Sequence, residues 1–275
     1  MARDNLSAAR TKPEHSALLT LSVLRRERVS PNFVRVTLGG DDLARFTPLG
    51  YDQWFRLFIP VAQGSLDGAP DKLTVLSYLK YLTVSKGRRP VLRNYTVRAF
   101  RPEGPELDVD FVVHGSPDDG SAGPATAWAL TCAEGDQVGI LDEGTGFALP
   151  DGVRQVLLVA DETGLPAIEG ILASLPANVT GRAVVEVPEE GDCRDLAGPS
   201  GVEVTWVVRA DATAVPGAAA RAEVESRPLP EGPFYGWAVG ESALPVGLRR
   251  HWVGAGVPKE NVTFCGYWKA PKRHS

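Results

Sequence analysis

The chain has 275 residues, 43% of them hydrophobic, and a formal net charge of -5. That length supports one large or two medium globular domains, and the acidic balance argues against a general nucleic-acid binder. No apolar run approaches the ~20 residues of a membrane-spanning helix, and residues 1–20 lack the apolar stretch of a secretory signal, so a cytoplasmic location is expected.

Residues 1–150 read as β-structure. Short, β-branched, alternating segments at 19–30, 33–40, 54–61, 91–100, 106–115 and 136–144 are punctuated by Gly, Pro and Asp. Such strands with little helix between them predict a barrel or a sandwich. Residues 64–90 read as a long connection, polar at its ends and apolar in its middle. After about residue 152 the pattern changes. Apolar strands at 154–161, 181–190, 202–211, 234–241 and 261–268 alternate with helical spacing at 162–176, 214–226 and 243–256. That alternation predicts an α/β domain with a parallel sheet over 151–275. The Ala- and Pro-rich stretch 211–230 reads as the loosest segment.

Residues 91–100, VLRNYTVRAF, place Arg93, Tyr95, Thr96 and Arg98 in one strand. Its RNYT (93–96) resembles the Arg-x-Tyr-Thr/Ser pattern of ferredoxin-reductase-like flavoproteins, which implies an arginine on the pyrophosphate, a tyrosine on the ring and a small hydroxyl near N5. Tyr95 and Thr96 point to opposite sides of an ideal strand, so both reach one ring only if the strand bends. Further on, a strand ends in His114-Gly115, and Gly123-Pro124-Ala125-Thr126 opens a helix containing Trp128. Free N–H groups at such a start can hold a phosphate. Trp128 fits either the core or the flavin site, and His114 either a strand end or a flavin contact.

The α/β half has no G-x-G-x-x-G after its first strand. Asp161-Glu162-Thr163-Gly164 opens the helix instead. Carboxylates suit a helix N-terminus but repel a pyrophosphate, which leaves Thr163 and Gly164 as the better phosphate contacts. After the second strand, Glu186, Glu189, Glu190 or Asp192 can take a ribose hydroxyl. No arginine sits among them, which leans toward NADH over NADPH, and Arg194 or Arg209 would reverse that. Glu241, Arg249 and Arg250 are candidates for the cofactor crevice. The three cysteines, Cys132, Cys193 and Cys265, form no CxxC pair and the four histidines are dispersed, so no resident metal is expected.

The chain resembles the siderophore-interacting proteins, flavin-dependent ferric-siderophore reductases on the ferredoxin-reductase-like plan. The resemblance rests on an ordered run: RVTLGGDDLARF (35–46), RNYTVR (93–98), VDFVVHG (109–115), GPATAWA (123–129), VADETGLPAI (159–168), VEVPEEGD (185–192), TWVVR (205–209), GWAVGE (236–241), LRRHW (248–252) and CGYWK (265–269). It implies a six-stranded antiparallel FAD-binding barrel over 1–150 and an NAD(P)H-binding α/β domain over 151–275. It implies non-covalent FAD, with NADH or NADPH as donor and a ferric siderophore as acceptor. Tyr95 and Thr96 would position the flavin, with no acid or base required. Arg93, Val97, His114, Gly115, Gly123, Pro124, Ala125, Thr126 and Trp128 would complete the FAD site. Asp161, Glu162, Thr163, Gly164 and Glu241 would lie on the nicotinamide side. Where the family has Gly before the DET triplet and Ala after it, this chain has Ala160 and Gly164.

Siderophores present anionic or oxygen-rich faces. Lys80, Lys86, Arg88 and Arg89, with Lys269, Lys272 and Arg273 at the other end of the chain, are candidates for steering them. A reductase of the same architecture with another acceptor, a ferredoxin as electron partner, and a non-catalytic siderophore carrier are the competing readings.

Overall fold

The structure, a computed structural model, describes residues 5, 10–14, 16–61, 65–72 and 74–271. They form two compact units, one of residues 11–49 and 53–145, the other of residues 50–52 and 146 onward with the described N-terminal residues. Residue 150, where the sequence reading divides the chain, lies inside the second unit.

The first unit is built from β1 (Leu19–Ser30), β2 (Phe33–Gly39), β3 (Trp54–Ile59), α1 (Val75–Thr83), β4 (Val91–Thr96), β5 (Ala99–Arg101), β6 (Glu106–Val112), α2 (Pro124–Thr131) and β7 (Gln137–Gly144). The strands form one antiparallel sheet in the order β4-β3-β7-β1-β2-β6-β5. The count is therefore seven where the sequence predicts six. The extra strand comes from segment 91–100, which breaks at Val97–Arg98. Its first half pairs with β3 and its second with β6. Because the sheet's two end strands are joined by two residues, the sheet must curl until its ends meet, as a barrel does. Backbone bonds hold the corner: the Val97 N–H donates to Gln53 O and the Arg98 N–H to Asp108 O. Inside, Leu21, Val23, Val36, Leu38, Phe55, Leu57, Val109, Phe111 and Ile140 form the core, every second residue of each strand.

Residues 64–90 are not an irregular connection throughout. They contain α1, which begins with a capping box: Thr74 Oγ1 accepts from the Ser77 N–H, and Ser77 Oγ accepts from the Thr74 N–H. Tyr81 anchors the helix against Phe58 and Leu141, and its hydroxyl donates to Pro90 O at 2.6 Å.

The second unit contains β8 (Gln155–Ala160), α3 (Leu165–Ser174), β9 (Thr180–Val187), β10 (Gly201–Val208), α4 (Ala218–Glu225), β11 (Tyr235–Glu241), α5 (Ala243–Gly254) and β12 (Val262–Trp268). Its strands pair in parallel in the order β10-β9-β8-β11-β12. Leu157 and Val159 pack with α4 and α5. The alternate residues Val156, Leu158 and Ala160 are equally buried, so both faces of β8 are covered, which explains its unbroken apolar run. The stretch expected to be loosest contains α4, which packs through Ala220 and Val224.

A buried ion cluster ties this unit together. The Arg209 guanidinium donates to both Glu162 oxygens at 2.7 and 2.8 Å and to Glu186 Oε1 at 3.2 Å. Glu186 also accepts from the Gly217 and Ala220 N–H groups at the start of α4, at 2.9 and 2.8 Å. Two carboxylates against one guanidinium leave an excess negative charge, and the positive end of the α4 dipole meets it. Removing the cation strands both carboxylates. Arg209→Met is expected to lower unfolding free energy by about 3–5 kcal/mol, read as a lower urea midpoint at unchanged slope.

Candidate functional site: a flavin cleft and a strand switch point

In the first unit, Val91, Arg93 and Tyr95 share one face of β4, and Val91 and Tyr95 pack against the core. Tyr95 lies 4.3 Å from Phe111, ring centre to ring centre, and Phe111 lies 5.6 Å from Trp128 on α2. Trp128 thus serves the core, and through Phe111 it backs the tyrosine. Burial pushes the Tyr95 phenol far above its ordinary pKa, so it stays neutral. Thr96 is buried at the end of β4, directly before the break, and Val97 is buried at the corner.

Arg93 is exposed. Its guanidinium donates to Leu92 O at 2.7 Å, and among the described residues no carboxylate pairs with it. It opens on a cleft of about 360 Å³, whose wall includes Tyr78, Tyr81, Lys86, Arg89 and Pro124. Residues 93 and 124 therefore meet in one cavity. Pro124 is the first residue of α2, whose N-cap, Gly123, offers no side-chain hydrogen bond and has open space above its Cα. The Ala127 N–H returns to Gly123 O, and the N–H groups before it lie in the turn where a helix has no internal acceptor. Ala125 is buried, and the Thr126 hydroxyl points back to Val112 O at 3.4 Å, leaving the backbone as that residue's contribution. His114 and Gly115 are exposed just beyond β6, and Gly115 takes φ 73°, which favours glycine. An uncompensated arginine beside an uncapped helix start fits a pyrophosphate, and Tyr95 one residue pair along fits a flavin ring.

The basic residues of this region divide into two groups. Arg98 lies 3.8 Å from Asp110, and Arg101 pairs with Glu106 and Asp108 at 2.7 and 2.6 Å, so these two serve the sheet. Lys80, Lys86 and Arg88 are exposed. Arg89 stands over the Tyr81 ring and donates to Leu82 O. Lys269 is exposed, while Lys272 and Arg273 lie outside the described residues.

In the second unit, the strand order changes direction between β8 and β11, and ligands of such sheets bind beyond the carboxyl ends of the strands at that point. Asp161 follows β8 and Glu241 ends β11, so both stand there. Their carboxylates, however, are spent internally. Asp161 caps the Thr163 N–H at 2.9 Å and accepts from the Glu241 N–H at 2.6 Å, and Glu241 accepts from Ala243 and Ala270 N–H groups. Burial, aided by the neighbouring Glu162 charge, raises the Asp161 pKa to about 7 against these hydrogen bonds. Glu162 is held by Arg209. These acids therefore tie the ends of β8 and β11 together, and among the four residues from Asp161 only Thr163 is partly exposed. The ribose candidates also divide: Glu186 and Asp192 are fully buried, whereas Glu189 and Glu190 are exposed. Arg209 is internal, Arg194 pairs with Glu169 at 2.9 Å, and Arg249 stands over Phe264. Among the described residues no cluster of three or more His, Cys, Asp or Glu could hold a metal ion.

Gly164 explains the departure at the DET triplet. A Cβ at this position would lie 2.7 Å from Ala160 Cβ and 2.5 Å from Val239 Cγ2. The methyl of Ala160 takes part of the room that a side chain at 164 would need and Val239 takes the rest, so the exchange at 160 accounts for part of the glycine at 164.

An antiparallel sheet closed at a bent strand, followed by a five-stranded parallel sheet, is the arrangement of the ferredoxin-reductase-like fold. The ferredoxin reductase of carbazole 1,9a-dioxygenase shares the fold, with a TM-score of 0.64 at 15% identity over 93% of this chain and 71% of that one. Family models match along the chain: the siderophore-interacting FAD-binding domain over residues 22–146 and the siderophore-interacting protein over 153–271. Among relatives, the ferric vibriobactin reductase ViuB of Vibrio cholerae is 29% identical over 92% of this chain and 89% of its own. The NADPH-dependent ferric-chelate reductase of Escherichia coli is 30% identical, covering 91% and 92%. The crystal structure of SipS from Aeromonas hydrophila matches at TM-score 0.74 and 30% identity, covering 94% and 93%. The chain belongs to the siderophore-interacting protein family.

The partial compensation at 160 and 164 is open to a double-mutant cycle. Gly164→Ala alone is expected to cost about 1–3 kcal/mol by overpacking. Adding Ala160→Gly is expected to recover part of that loss in denaturant unfolding.

Proposed function

We propose that the chain is a flavin-dependent ferric-siderophore reductase, taking electrons from NAD(P)H in the cytoplasm and delivering them to chelated Fe(III). The observation that carries this reading is the meeting of Arg93 and the start of α2 in one cleft, with Tyr95 beside them. The family membership and the two reductases named above support the same activity. When bound, FAD supplies hydride acceptance from a nicotinamide and one-electron donation to iron.

The protein's part is positional. Arg93 and the backbone N–H groups of Ala125 and Thr126 would hold the pyrophosphate, with Gly123 and Pro124 leaving the approach open. Tyr95, stiffened by Phe111 and Trp128, would fix the ring plane, while Thr96 and Val97 present backbone and hydroxyl at its edge. His114 and Gly115 would border the same site. At the switch point, Thr163 and the backbone from Asp161 to Gly164 would face the nicotinamide nucleotide. Asp161 and Glu241 hold that backbone by their mutual hydrogen bond. Glu189 or Glu190 would receive the ribose. Lys80, Lys86, Arg88, Arg89 and Lys269 would raise the local concentration of an anionic ferric chelate without binding iron directly. Iron then leaves because Fe(II) is held less tightly by hard oxygen ligands than Fe(III).

The test is anaerobic absorbance of purified protein supplied with FAD. Addition of NADH or NADPH is expected to bleach the flavin band. A ferric hydroxamate or catecholate with a ferrous trap is then expected to restore it as trapped Fe(II) appears. Bleaching without recovery would mean a different acceptor. Bound flavin that neither nucleotide bleaches would leave ferredoxin or another donor.

A further inference from the structure

The helix α1 carries its apolar side outward. In a helix of about 3.6 residues per turn, Val75, Leu79 and Leu82 fall on one side, with Leu76 and Tyr78 flanking them. Tyr81, on the opposite side, is the residue that packs inward, at 6% exposure. The outward residues are open to solvent: Val75 81%, Leu76 78%, Leu79 54% and Leu82 43%. Exposed Val61, which lines the cleft beside Leu82, extends the patch. Single exposed leucines need no explanation, but a contiguous row on one convex helix does.

The segment that carries the row has charges of one sign, with Asp71 immediately before it. From Lys72 to Arg93 the chain carries six basic and no acidic residues, in a protein whose net charge is -5. Lys72 precedes the helix and its carbonyl accepts from the Ser77 hydroxyl. Lys80 flanks the apolar row beside Leu76, and Lys86 and Arg88 follow in the turn after the helix, all exposed. A small chelate would need a concave site for this much apolar surface, whereas Val75, Leu76 and Leu79 lie outside the cleft that Val61, Tyr78 and Leu82 border. An apolar ridge framed by lysines complements a lipid interface, where leucines enter the acyl boundary and cations meet anionic headgroups. No helix of the described residues is long and apolar enough to cross a membrane, so contact would be at the surface.

We infer that α1 is a peripheral membrane-docking element that seats the first unit on an anionic phospholipid surface. This goes beyond the reductase reading and does not rest on it. Val75, Leu76 and Leu79 lie outside the cleft wall, so the docking face and the proposed flavin cleft can be tested separately. One consequence is functional: a reductase held at the membrane meets a ferric chelate where it enters the cell.

The test is co-sedimentation of the full chain with vesicles of mixed phosphatidylcholine and phosphatidylglycerol, against vesicles of phosphatidylcholine alone. Binding is expected to the anionic vesicles and to weaken as salt is raised. Two paired variants, Leu76→Asp/Leu79→Asp and Leu76→Gln/Leu79→Gln, should fold, because both positions are exposed. Each is expected to weaken binding at least about tenfold while FAD content stays unchanged. The Gln pair separates loss of apolar insertion from charge repulsion. Equal binding by wild type and the Gln pair, or no binding to anionic vesicles at low salt, would overturn the inference. So would a wild-type dimer in light scattering that the Gln pair converts to monomer, because the occupant would then be a second copy.

Discussion

One covalent constraint organises the first unit. The sheet starts with β4 and ends with β5, and only Val97 and Arg98 separate them in the chain. Two residues cannot span the edges of an open seven-stranded sheet, so the sheet has to close on itself. Closure decides what stands beside what. β4 loses its ladder after Thr96, and α2 packs over β2, β4 and β6, where Phe111 links Tyr95 to Trp128. Arg93 and Pro124, thirty-one positions apart, become walls of the same cleft. Pairing with β3 ends at Thr96 and pairing with β6 begins at Ala99, so the chain turns directly after Thr96.

The second unit follows a different logic, in which carboxylates are used as internal ties. Asp161 links the ends of β8 and β11, Glu241 links β11 to α5 and to Ala270, and Glu162 and Glu186 share Arg209. An anionic nucleotide is repelled by exposed acids, and here the acids nearest the switch point are withdrawn into hydrogen bonds. What remains outward is backbone, Thr163 and, farther along, Glu189 and Glu190.

Much of this was legible in the residues. Strands and helices followed from periodicity, and the two-part architecture followed from the change in pattern near residue 152. The Arg-x-Tyr-Thr tetrapeptide is common by chance and points to a flavin only in company with the ordered motifs that follow it. Three things were hidden, each for a physical reason. Helix α1 reads as connection because Leu76, Tyr78 and Tyr81 fill the turns between Val75, Leu79 and Leu82, so the helical spacing of those three is masked and no clean polar face shows. The spacing and the Thr74-Ser77 capping box are the available cues. The internal roles of Glu162 and Glu186 depend on Arg209, 47 and 23 positions away, and a sequence states residue types without their distant partners. The basic run looked uniform, yet Arg98 and Arg101 are neutralised by Asp110, Asp108 and Glu106, acids that β6 brings alongside.

The central claim is that the cleft at Arg93 and the start of α2 holds FAD. The most direct measurement is titration of flavin-free protein with FAD, followed by protein fluorescence, for wild type and Arg93→Ala. A charged hydrogen bond to the pyrophosphate predicts a Kd raised roughly tenfold to a hundredfold in the variant, with the fold intact by circular dichroism. Equal Kd values for the two proteins would contradict the account, because the one uncompensated cation of β4 would then have no part in binding the flavin.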